Sequence, residues 1–149
     1  MVKNIVGGIL TAQFFLISPK AFIFRFFSNP SFSNPYNMDT ITWHDFEKVQ
    51  MYVGTILSAT VFEKARNPAY QLEIDFGPEI GIRKSSAQIT QLYATADLPG
   101  KQVVAVVNFP VKQIANFFSE CLVLGVVGEG KEIVLLQPDR PVKNGHRIA

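Results

Sequence analysis

Ala69-Tyr70-Gln71-Leu72-Glu73-Ile74-Asp75-Phe76, followed by Gly77-Pro78, is the stretch that decides the architecture. Successive side chains of a strand point to opposite faces. Tyr70, Leu72, Ile74 and Phe76 therefore share one apolar face, and Gln71, Glu73 and Asp75 share a polar one. A clean alternation of this kind is the mark of an antiparallel strand with one face on a core and the other in water. Gly77-Pro78 supplies the turn that ends it.

Working outward, the same chemistry recurs. Upstream, 51–60 is rich in β-branched residues and carries Gly54, which is expected to mark a bulge or a sharp bend. Downstream, Ile80-Gly81-Ile82-Arg83-Lys84 opens another strand, and 101–107 is an unbroken apolar run of the kind a fully buried strand shows. Two more apolar runs, 121–127 and 133–136, are separated by Gly128-Glu129-Gly130. Helix is minor. Thr42-Trp43-His44-Asp45 has the form of a capping box, and Trp43, Phe46 and Val49 recur at helical spacing. A short helix over 42–49 is expected, with its apolar side on the barrel, and a second over 87–93, stopped near Pro99-Gly100. Short strands at such intervals, joined by turn residues, predict an all-β fold closed or nearly closed into a small barrel.

The first 37 residues read differently. They hold Lys3, Lys20 and Arg25 and no acid. The apolar run 5–18 is followed by Pro19 and Lys20, which leaves it short of the roughly 20 apolar residues a spanning helix needs. Phe27-Ser28-Asn29-Pro30 is echoed by Phe32-Ser33-Asn34-Pro35. Three readings stay open for 1–37: a misassigned start with Met38 as the initiator, a cleaved or anchoring leader, or a disordered arm. The remaining 38–149 form one domain. They carry eleven Lys+Arg against twelve Asp+Glu, so any nucleic-acid binding must come from a local patch and not from overall basicity. Membrane insertion of 38–149 is not expected. Cys121 is the only cysteine, which excludes a disulfide within the chain and suits a reducing, cytoplasmic setting.

A family resemblance rests on many blocks in order. They run from Asp45-Phe46-Glu47-Lys48-Val49 and Val53-Gly54-Thr55-Ile56 through Asp75-Phe76-Gly77, Glu79-Ile80-Gly81-Ile82 and Ser85-Ser86-Ala87-Gln88-Ile89-Thr90. They continue with Val106-Val107-Asn108-Phe109-Pro110, Ile114-Ala115, Ser119-Glu120 and Leu122-Val123-Leu124-Gly125. They end with Val134-Leu135-Leu136-Gln137-Pro138-Asp139 and Val142-Lys143-Asn144-Gly145. Over 38–149 the chain resembles the CsaA family of tRNA-binding-domain proteins, a superfamily that includes the C-terminal domain of bacterial methionyl-tRNA synthetase. The resemblance implies a five-stranded oligonucleotide-binding barrel with a short N-terminal helix and additional C-terminal strands, dimerised through segments outside the barrel. It also implies an export-related chaperone that binds unfolded precursor proteins, and tRNA as a partner. The alternative is a module for tRNA or other structured RNA that assists aminoacylation without chaperone activity.

The candidate binding residues are Arg83, Lys84, Ser85, Ser86 and Gln88, then Asn108, Pro110, Lys112, Phe118, Ser119 and Glu120. Cations give salt-sensitive attraction to phosphates, and small polar side chains fix register. Against this, Ser85 or Ser86 is an ordinary helix-cap residue, and Ser119-Glu120 an ordinary strand-entry turn. At 108–115 the family pattern implies more arginine; here Lys112 is retained, while Val111 and Gln113 depart from the pattern. A lysine lacks the planar fork of arginine, so weaker phosphate recognition is expected there. Phe109 and Phe117 are expected to fill the barrel end or a subunit interface. Phe118 is expected to be exposed, as an aromatic that captures bases or apolar segments. Glu120 repels phosphate unless Lys112 or Arg83 neutralises it. No cofactor, metal site or catalytic residue is expected: His44 and His146 lack metal-ligand spacing, and Cys121 reads as a small buried hydrophobe.

Overall fold

The computed structural model describes residues 38–149, so the three readings of 1–37 lie outside the described residues. The order is helix α1 (Trp43–Glu47), β1 (Met51–Val61), β2 (Tyr70–Asp75), β3 (Ile82–Ala87), a 3₁₀ turn at Thr95–Asp97, and β4 (Gln102–Val106). Then come β5 (Lys112–Ile114), β6 (Phe117–Ser119), β7 (Leu122–Val123), β8 (Gly125–Val127), a 3₁₀ turn at Glu129–Lys131, and β9 (Ile133–Leu135). An antiparallel five-stranded sheet in the order β3-β2-β1-β4-β7 curls until β7 lies beside β3. Two hairpins, β5–β6 and β8–β9, extend it. The expected all-β barrel with a short leading helix and extra C-terminal strands is what forms.

The alternation read in β2 sets the core. Leu72, Ile74 and Phe76 are fully buried with Ile56, Val103, Ala105 and Leu98, and the polar residues between them face outward. The 101–107 run becomes β4, with Val103, Val104, Ala105 and Val106 all buried.

Four expectations need correction. The bulge is not at Gly54: the β1–β2 register slips between Ile56 and Ser58, so Leu57 and Ser58 both point outward before Ala59 turns in again. Gly54 instead makes room, since a Cβ there would stand 2.7 Å from the Phe76 ring. The capping box at Thr42 and Asp45 is present, but the helix is shorter than 42–49 and buries no residue. Trp43 is 68% exposed. No helix forms over 87–93: Ala87 ends β3, and only a single turn follows, closed by Tyr93 N–H on the Ile89 carbonyl. Tyr93 is needed elsewhere, because its hydroxyl accepts from the Leu135 N–H while its carbonyl accepts from Tyr70 Oη–H. Lastly, no strand is foreseen between 107 and 121, yet 112–119 form hairpin β5–β6. Among the described residues no helix is long and apolar enough to cross a membrane.

Candidate nucleic-acid interface

Strand β3 is the edge of the sheet, and its treatment explains much of the site. The backbone of Lys84 is paired on the open side by Glu120: its N–H donates to the Glu120 carboxylate at 2.9 Å, and its carbonyl accepts the Glu120 N–H at 2.8 Å. Ser86 N–H donates to Ser119 Oγ at 3.2 Å, and Cys121 Sγ–H lies 3.7 Å from the Lys84 carbonyl. Residues 119–121, through one backbone N–H and three side chains, thus do the work of a missing ladder and close the barrel. An open edge would present unpaired donors and acceptors to other chains.

This assigns several sequence-predicted residues. Ser85 is 1% exposed and donates to the Cys121 carbonyl at 3.0 Å; it is inside, not on a ligand face. Ser119 and Glu120 are engaged in barrel closure. Asn108 staples the start of β1 to the end of β4, accepting from Gln50 N–H at 3.0 Å and donating to the Lys48 carbonyl at 2.7 Å. Arg83 and Lys84 part company because they are neighbours in a strand. Arg83 pairs with Ile74 on the inward face, its Nε buried without a hydrogen-bond partner, while Lys84 pairs with Glu73 on the outer face. Gln88 lies apart, beside Asn67, Pro68, Thr90 and Lys131 in a small hollow.

Two concave surfaces bear on the candidate residues, apart from one of about 250 Å³ beside Pro78, Glu79, Lys143 and His146. One is a groove of about 240 Å³ lined by Phe109, Pro110, Lys112, Ser119, Glu120 and Leu122. It mixes apolar side chains with one cation and one carboxylate. Of the two places expected for Phe109, the barrel end is not one it fills, since it is 53% exposed in the single chain. The other is a cup of about 270 Å³ on the outer face of β1–β3, with Ser58, Gln71, Glu73, Lys84 and Phe117. Hairpin β5–β6 overhangs it. Strand alternation sends Phe117 toward the barrel, 5.5 Å from the Phe62 ring, and leaves Phe118 54% exposed on the far side with Gln113. The expected exposure of Phe118 is present, and its cause is the period of two.

Sequence reasoning missed a third feature. Residues 142–148 strap the barrel: Gly145 N–H donates to the Val53 carbonyl, Val53 N–H to the His146 carbonyl, and Ile148 N–H to the Met51 carbonyl. Asn144 sits at the centre, accepting from Thr55 Oγ1 at 2.7 Å and donating to Asp75 at 3.0 Å. The Asn144-Gly145 dipeptide was the available signal, since Gly145 holds φ +83° against the Phe76 carbonyl. Burial, ahead of a weaker contribution from Glu120, pushes the Cys121 thiol up to about 11. Among the described residues no three His, Cys, Asp or Glu side chains gather as metal ligands.

A five-stranded barrel with a short leading helix, an edge sealed by residues 119–121 and shallow mixed-polarity concavities defines a binding module of the oligonucleotide-binding class. A family model described as "Putative tRNA binding domain" matches residues 51–147. Crystal structures of the CsaA chaperones of Bacillus anthracis and Picrophilus torridus are 50% and 49% identical, with TM-scores of 0.71 and 0.70. Each alignment covers 74% of this chain and 100% of the other. A methionyl-tRNA-synthetase-related protein of Pyrococcus horikoshii aligns at 25% identity and TM-score 0.67, over 75% of this chain and all of that one. Methionine–tRNA ligases of Methanococcoides burtonii and Chlorobium limicola are 31% and 32% identical over 72% of this chain, which spans only 15% of their length. The chain belongs to the CsaA/tRNA-binding-domain family.

Proposed function

We propose that this chain is a cytoplasmic, homodimeric chaperone of the CsaA type. It holds extended segments of unfolded precursor proteins on their way to export, performs no chemical step of its own, and keeps a face for tRNA. The observation that carries the chaperone reading is the groove at Phe109, Pro110 and Leu122, all open to solvent in the single chain. Apolar side chains gathered on a surface favour an apolar partner. Two solved CsaA chaperones covered over their full length support the same reading. Lys112 and Glu120 at the groove rim suit the charged ends of a peptide without committing the site to a phosphate backbone.

The second reading, a module for structured RNA that serves aminoacylation, is favoured by the match over 51–147 and by the methionine–tRNA ligases. Its cations are Lys84, Lys112 and Arg83. Lys84 has a carboxylate neighbour in Glu73, and Lys112 shares its groove with Glu120, so phosphate affinity is expected to be modest.

Salt separates the two. Between 50 and 200 mM, RNA affinity falls steeply, because binding to phosphates is driven by counterion release. Affinity for an unfolded apolar chain holds or rises. The test is titration of a labelled unfolded precursor and of tRNA at both salt levels, with Phe109→Ser beside the parent protein. Client binding that is salt-tolerant and weakened by Phe109→Ser supports the chaperone reading. An unfolded chain that fails to bind at either salt level sinks it.

A further inference from the structure

The outer face of β1–β3 carries two cross-strand rows. Ser58, Glu73 and Lys84 stand side by side in one, and Thr60, Gln71 and Ser86 in the next. The slip at Leu57 makes this possible: simple alternation from Ile56 would have turned Ser58 inward, away from Glu73. Ser58 Oγ–H donates to Glu73 Oε2 at 3.2 Å, and Lys84 Nζ stands 3.9 Å from Glu73 Oε1. Ser58, Thr60, Gln71, Glu73 and Lys84 line one cup together with Phe117. The carboxylate is half exposed and keeps lone pairs free on both oxygens.

A carboxylate is misplaced on a surface meant for phosphates alone, which it repels. It is well placed for the donor edge of a base. We infer that this cup is a single-base site that selects guanine in unpaired RNA, an inference that rests on the RNA-binding reading above. The edge presented by Lys84 and Glu73 runs donor, acceptor, acceptor. The Watson–Crick edge of guanine runs O6 acceptor, N1–H donor, N2–H donor, which is its complement. Adenine offers a donor beside an acceptor in the reverse sense, and uracil sets one donor between two acceptors, so each leaves a like pair facing the protein. Cytosine has a single donor group, N4. Phe117, held against Phe62, supplies an aromatic surface at the cup wall for a base of any kind. Selection therefore falls to Glu73. Unpaired guanines in loops and ends of an RNA are the accessible targets, because base edges in duplex RNA are already paired.

The test uses the full chain and short labelled oligouridylates with one central guanosine, inosine or adenosine, followed by fluorescence anisotropy at low salt. Guanosine is expected to bind roughly tenfold tighter than adenosine, with inosine, which lacks the 2-amino donor, between them. Glu73→Gln replaces one acceptor by a donor and is expected to abolish the preference while the thermal midpoint stays unchanged. Lys84→Ala is expected to weaken every oligonucleotide and shallow the salt dependence. Phe117→Leu, which keeps an apolar contact with Phe62, is expected to weaken all three alike. Equal affinity for guanosine and adenosine, or a preference that survives Glu73→Gln, overturns the inference and leaves tRNA binding standing. Binding of tRNA without any oligonucleotide does the same, whereas no RNA binding of any kind overturns both.

Discussion

Gly54 lacks a side chain because Phe76 uses the space. The ring and the Ile74 methyl group would lie 2.7 and 2.8 Å from an added Cβ, closer than carbon atoms approach one another, and both neighbours are buried. Gly54→Ala should therefore destabilise the barrel by about 1–3 kcal/mol, as overpacking of a close-packed core does. A denaturant midpoint that does not move would show that the ring has a second position. Cys121 makes a different prediction. Its thiol, raised from 9.0 to about 11 mainly by burial, ionises later in the folded chain than in the unfolded one. The resulting stability is complete below pH 9 and is lost as pH climbs toward 11. Cys121→Ser should remove that alkaline slope, and at pH 8 a thiol reagent should label the parent only after unfolding. At this scale the sequence was legible where one strand's own pattern decides burial, as at Tyr70, Leu72, Ile74 and Phe76. It was not legible at Ser85, Asn108 or Glu120. Their partners lie 36 to 60 residues away and are chosen by a register that only the closed barrel fixes.

Among the elements, hairpin β5–β6 lies where the sequence pattern shows no strand. Its strands are three residues each, Lys112–Ile114 and Phe117–Ser119, too short for alternation to stand out. Its turn lacks the usual sign as well: Ile114 pairs with Phe117 across Ala115-Asn116, and Ala115 holds φ +50°, where glycine would be at ease. That conformation costs a residue with a Cβ about 1–2 kcal/mol. Ala115→Gly should recover part of this, about 0.5–1 kcal/mol after the glycine's greater unfolded freedom is counted. It is read as a higher thermal midpoint with binding intact. A lower midpoint would mean that the Ala115 methyl makes a contact worth more than the strain. The absent 87–93 helix teaches the same lesson from the other side. Its residues have tolerable helix propensity, but barrel closure takes Ala87 into β3 and Tyr93 onto the β9 backbone, and packing overrides a weak local preference.

At the scale of the whole molecule, the barrel accounts for one set of apolar residues and leaves another without cover. Hairpin β8–β9 exposes Val126, Val127 and Val134, with Val127 at 74%, while Leu122 and Leu136 stand open nearby. The hairpin is held firmly in place, since Val104 N–H donates to the Leu136 carbonyl and Leu136 N–H to the Leu124 carbonyl. Alternation sets Val126, Val134 and Leu136 on its outer side, a preformed apolar surface and not a frayed end, while Val127 faces the other way with Ile133. Single exposed apolar residues are ordinary on a monomer, but several on one short hairpin favour association. A twofold pairing is the commonest closed arrangement for like chains. A charge at its centre would have to be buried without a partner, which is strongly unfavourable. Val134→Glu should therefore convert the proposed dimer to a monomer at micromolar concentration, seen as a halved mass in light scattering, while the far-ultraviolet spectrum stays that of a folded β protein. If the parent already has a monomer's mass, or if the variant keeps a dimer's mass, subunit pairing through this hairpin is wrong, and its valines must be sought in client contacts instead.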